Sequence, residues 1–110
     1  MATRASASDR LVPAEYHVLL ALAAGERHID SIPGDVEHLS MGKIALEIPL
    51  LRAVLRRLAR AGLIVSTESR DTPHDLDHVH FQITRDGERR LSKETEHMAR
   101  IMRAQDPVDD

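Results

Sequence analysis

The chain has 110 residues, 42% of them hydrophobic and 30% charged, which suits one soluble domain with a modest core. Tyr16 and Phe81 are the only aromatic residues, so there is no platform for stacking unpaired bases, and single-strand or RNA binding is disfavoured. The chain has no cysteine, which removes disulfides, thiolate catalysis and cysteine zinc sites and fits a cytoplasmic protein; no apolar run reaches the length of a membrane span or makes a signal core near the start.

Residues 1–10, rich in Ala and Ser, read as a disordered arm. Pro13 opens a first helix over 13–24, with Tyr16, Leu19, Leu20 and Ala23 as its buried stripe, Leu11 and Val12 packing at its start and Gly25 as its stop. His17 lies beside the stripe, where a hydrogen-bonded, half-buried imidazole is a simpler reading than a metal ligand. Ile32, Val36 and Leu39 recur at helical spacing and place a second helix within 28–40. Proline costs about 3 kcal/mol inside a helix and little in its first turn, so the regular part should begin at Ile32 or Pro33, capped by Ser31 or Asp30. Residues 41–46 then read as a short extended segment, the small first strand of the fold.

Residues 48–64, IPLLRAVLRRLARAGLI, carry the strongest pattern. Leu51, Val54, Leu55 and Leu58 make one apolar face, while Arg52, Arg56 and Arg60 recur every four residues on another, with Arg57 at the edge. Pro49 fits the first turn, and Gly62 fits a left-handed cap after the last turn. The stretch has four arginines and no acid, although the whole chain carries a formal charge of −3. A solvated arginine face would explain the charges equally well; the strand pattern beyond Gly62 favours a different role.

Residues 64–66 and 79–83 read as two strands, the second alternating Val79, Phe81 and Ile83 with His80 and Gln82. The loop between them holds Glu68, Asp71, Asp75 and Asp77 and should be exposed. Thr84 can cap a last helix that runs to about Ala104, with Asp86 and Glu88 at its positive end. Its sparse apolar positions (Leu91, Met98, Ile101 and Met102) lie on one side, suited to pairing with a second chain, and Thr95 falls among them. The expected class is therefore mainly α with a small β wing. It comprises an arm (1–10), a winged helix-turn-helix domain (11–84), a long C-terminal dimerisation helix (85–105) and an acidic tail (106–110). In that plan the arginine helix enters the DNA major groove.

Three stretches carry a more specific likeness. PAEYHVLLALAAGERH (13–28), ARAGLI (59–64) and FQITRDGERRL (81–91) resemble, in order and register, the first helix, the step from recognition helix to wing, and the start of the dimerisation helix in PadR-like transcriptional regulators. The resemblance spans about residues 13–104. It implies a cytoplasmic bacterial homodimer, double-stranded palindromic DNA as partner, and repression relieved by a small-molecule effector or another signal. The sequence departs from the family where Gly-Pro-Gly-Thr-Leu-Tyr usually leads into the recognition helix. Here those positions are Glu47, Ile48, Pro49, Leu50, Leu51 and Arg52, so an arginine stands where a tyrosine often approaches the backbone. The wing's usual Arg-Arg-Tyr-Tyr is His78, Val79, His80 and Phe81, and Pro33-Gly34 interrupts the supporting helix.

The resulting expectation is a dimeric DNA-binding regulator that reads duplex DNA with Arg52, Arg56, Arg57 and Arg60, supported by Lys43, His78 and His80. Leu91, Thr95, Met98, Ile101 and Met102 are assigned to the dimer contact. The rival is a winged-helix protein-interaction module that has lost DNA binding, motivated by the net charge, the acidic loop and Glu47. His74, His78 and His80 with Asp75 and Asp77 are metal-binding residue types but not a complete ligand set, so no metal or other cofactor is assigned. No phosphate loop, cysteine nucleophile or HExxH helix is present, so no catalytic residue is assigned and an enzyme is not expected.

Overall fold

The computed structural model describes residues 10–67 and 80–105. In chain order these form α1 (Pro13–Ala23), β1 (Arg27–His28), a 3-10 turn (Ile29–Ser31), α2 (Ile32–Leu39), α3 (Ile48–Arg60), β2 (Ile64–Thr67), β3 (His80–Ile83) and α4 (Arg85–Gln105). Residues 1–9, 68–79 and 106–110 lie outside the described residues, and with them the expected arm apart from Arg10, the expected acidic loop with His74 and His78, the strand position Val79 and the acidic-tail assignment.

α1 is the centre of the packing, touching α2, α3, β3 and α4. With neighbours on several sides it buries Val18, Leu19, Ala21 and Leu22, a wrapped surface rather than the single stripe expected. Tyr16 and Leu20 are therefore only half-buried, and Ala23 is exposed. Its first turn is held by Glu15, whose Oε1 accepts the Val12 N–H at 3.0 Å. His17 Nδ1 lies 2.8 Å from the Pro13 carbonyl oxygen, the local hydrogen bond expected of it.

The sheet order is β1-β3-β2, all antiparallel. Arg27 pairs with Phe81 and His28 with His80, while Ile64 to Thr67 pair with Ile83 to His80. The first strand is thus Arg27–His28, not residues 41–46. Gly25, at φ +145°, redirects the chain after α1 and sets the next residues beside β3. Residues 44–47 run without a strand partner; the Ile44 N–H donates to Ser40 Oγ at 2.9 Å and Leu46 turns into the core. α2 begins at Ile32 with Pro33 in its first turn, where the missing N–H removes no helix bond. Ser31 is its N-cap, though without a side-chain bond, and Leu39, expected on the buried face, is 40% exposed.

α3 buries Leu51, Val54, Leu55 and Leu58, which join Val18, Leu19, Leu22, Ile32, Val36, Ile64 and Leu91 in one core. Each such side chain contributes about 1.5–3 kcal/mol of burial, so this face fixes the rotation of α3 and points its arginine side outward. The helix ends in a Schellman motif. Leu63 N–H bonds to the Leu58 carbonyl at 3.0 Å and Gly62 N–H to the Ala59 carbonyl at 3.0 Å, with Gly62 at φ +78°. The buried Leu63 completes the apolar contact of that motif and starts the turn into β2.

Candidate nucleic-acid interface

The four α3 arginines have different surroundings. Arg56 and Arg60 are exposed on the side opposite the buried leucines. Arg52 is half-buried, and its Nε lies buried without a hydrogen-bond partner. Arg57 donates from Nε to Glu15 Oε2 at 2.9 Å, an ion pair between α3 and the first turn of α1. Glu15 thus caps α1 with one oxygen and holds an α3 arginine with the other. Arg52, Arg56 and Arg60 form the continuous basic stripe, and Arg57 stands aside from it. The role of Glu15 was not legible in advance: a capping box is recognised by Ser or Thr at the N-cap, and here that residue is Val12.

Lys43 lies exposed in the connection between α2 and α3. His80 is half-buried, its ring edge-on to that of His28 with centroids 4.9 Å apart. That contact follows from the β1–β3 register and holds the imidazole against the sheet. Beside it, Glu26 accepts from Thr67 Oγ1 at 3.0 Å and from Gln82 Nε2 at 3.2 Å, which ties one side of the wing strands to the end of α1.

The residues assigned to the dimer contact separate into two groups. Leu91 is buried in its own domain's core, and the Thr95 hydroxyl lies 2.8 Å from that of Tyr16, so both serve to dock α4 on α1. Between them, the buried Glu94 accepts from Arg10 Nη2 at 3.0 Å, which fixes a residue assigned to the free arm. Met98 is half-buried, and Ile101 and Met102 are exposed on the last turns. Among the described residues no helix is long and apolar enough to cross a membrane.

No protein-family model matches the sequence, and no curated protein does. Several solved structures share the fold. A transcriptional regulator from Clostridium thermocellum aligns with a TM-score of 0.68 and 17% identity, over 82% of this chain and 84% of its own. BpsR of Bordetella bronchiseptica, whose DNA binding is regulated by 6-hydroxynicotinic acid, aligns at 0.65 and 20%, over 92% and 69%. The adhesin competence repressor AdcR of Streptococcus pyogenes aligns at 0.58 and 13%, over 90% and 66%. Mainly helical, with a three-stranded antiparallel sheet and a long C-terminal helix, the chain has a winged-helix fold, which it shares with these structures.

Proposed function

We propose that this protein is a dimeric, sequence-specific DNA-binding transcriptional regulator acting in the cytoplasm, a repressor of the PadR-like kind. The observation that carries the reading is the Arg52–Arg56–Arg60 stripe. It lies on the outward side of the helix that this fold places in the major groove, and no acid interrupts it between Ile48 and Ile64. Guanidinium forks suit both phosphate and guanine, and the aligned regulators make duplex DNA the natural partner. Control by a small-molecule effector belongs to the same reading, by analogy with BpsR. No catalytic role is proposed.

The test is fluorescence anisotropy with a labelled mixed-sequence duplex, titrated at several salt concentrations. Each phosphate contact contributes about −0.9 to the slope of log affinity against log salt. Arg56→Ala should weaken binding and make the slope shallower by about that amount if the guanidinium meets a phosphate. Binding unchanged by Arg56→Ala would remove α3 as the reading element.

The second reading, a winged-helix module that binds protein instead, is favoured by Glu47 at the start of α3 and by the net charge of −3. It predicts no duplex binding even at low salt.

A further inference from the structure

Resting on the proposed DNA-binding function, the first turn of α3 carries a second kind of information. Residues 47–51 are Glu47, Ile48, Pro49, Leu50 and Leu51. Leu51 is fully buried, but Ile48 is 38% exposed and Leu50 is 52% exposed. Single exposed apolar residues are ordinary on protein surfaces. These two, however, sit in the turn of a recognition helix that approaches the base edges, ahead of the arginine stripe. Ile48 lies one turn before Arg52 and Leu50 two turns before Arg57, so the two apolar side chains flank the outward side of the helix.

The chemistry of this turn limits what it can read. Its one polar side chain is that of Glu47, which makes no capping bond to the helix. A carboxylate is repelled by phosphate and by the N7 and O6 acceptors of guanine, and its own acceptors suit the N4 amino group of cytosine, so the side chains of this turn do not offer the phosphate and guanine contacts of the later arginines. The apolar feature presented on the major-groove floor is the thymine 5-methyl group. We infer that Leu50, with Ile48 beside it, is a specificity-determining contact for thymine methyl groups, placed ahead of the arginine contacts in each half-site.

Replacing thymine by deoxyuridine removes that methyl and leaves base pairing intact, which isolates the contact. The full-length protein would be used to select tight-binding duplexes from a randomised pool. The selected site would then be made with thymine or deoxyuridine throughout, and both forms titrated with wild type, Leu50→Ala, Ile48→Ala and Arg56→Ala. Wild type should prefer the thymine duplex by about four-fold per methyl buried. Leu50→Ala, at a half-exposed surface position, should keep its helical circular dichroism and its affinity for the deoxyuridine duplex while losing most of the preference. Arg56→Ala should weaken both duplexes together. Equal affinity of wild type for the two forms would overturn the inference and leave DNA binding standing. A preference undiminished in both apolar variants would overturn it as well, by placing the methyl contact elsewhere. Failure to retain any duplex would overturn this inference and the DNA-binding reading together.

Discussion

The Thr84 hydroxyl donates to the Gly62 carbonyl oxygen at 2.7 Å, joining the end of the arginine helix to the start of the terminal helix. The hydroxyl oxygen also accepts the Gly87 N–H at 3.0 Å as the N-cap of α4, and the Thr84 N–H donates to the Leu63 carbonyl at 2.9 Å. One residue therefore caps α4, holds the Schellman turn of α3 and closes the base of the wing. A tilt of α4 cannot leave the C-terminal end of α3 unmoved while these bonds hold, which gives the fold a short mechanical link between its outer helix and its arginine stripe.

Thr84→Val keeps the shape of the side chain and removes both hydroxyl bonds. Loss of an N-cap costs about 0.5–2 kcal/mol, and the Gly62 carbonyl loses a partner as well. The expected result is a fall in melting temperature of about 4–8 °C per kcal/mol, measured by far-UV circular dichroism, with Thr84→Ser close to wild type. A Val variant as stable as wild type would show that the hydroxyl bridge is not a stabilising element.

Gly87 is buried in the first turn of α4, directly against the Schellman turn. A β-carbon there would overlap the Leu63 carbonyl oxygen and come within 2.7 Å of Ile83 Cγ1. The first obstacle is backbone, so relief requires moving α4 away from the wing. Gly87→Ala should destabilise by about 1–3 kcal/mol in spite of alanine's better helix propensity, a sign opposite to that of the same change at an open helix position. Chemical denaturation reads it directly: an unshifted or raised midpoint would refute the close approach.

Glu15→Gln separates the two roles of Glu15. The amide oxygen can still accept the Val12 N–H, but the charge that holds Arg57 is gone. An ion pair at this exposure is worth about 0–1 kcal/mol, so stability should change little. Arg57 becomes free to meet a phosphate. Duplex affinity should rise, and the salt dependence should steepen by up to about 0.9 in slope. Weaker duplex binding in a folded Glu15→Gln variant would mean that the ion pair orients Arg57 for DNA rather than withholding it.

What could be read in advance divides along physical lines. α3 was legible because its apolar and basic residues each recur at helical spacing, and Gly62 marked its end. Thr84 and Pro33 likewise announced helix starts by local chemistry. β1 was missed because a two-residue strand has no periodicity; it is defined by the partner residues Phe81 and His80, more than fifty positions away. The buried face of α1 was misjudged because a helix surrounded by neighbours has no single stripe to find. The pairings Glu15–Arg57 and Arg10–Glu94 left no mark in the sequence, since charges so far apart along the chain meet only after the core has set the helix angles.

The proposed dimer rests on the outer end of α4. Leu91 and Glu94 bind this helix to its own domain, whereas Ile101 is 42% exposed and Met102 is 68% exposed two turns further on. A helix of 21 residues is about 32 Å long, enough to carry its last turns past the winged domain and against a second copy. Burying these side chains would add about 1.5–3 kcal/mol each if they were fully covered. The double variant Ile101→Asp, Met102→Asp replaces that gain with like charges facing each other across the contact. In sedimentation equilibrium, wild type should have twice the chain mass and the double variant the mass of one chain, with helical circular dichroism retained. Duplex affinity should fall with the loss of the second half-site. A wild-type protein that is monomeric at every concentration tested, or a variant that stays dimeric, would move the dimer contact away from this end of α4.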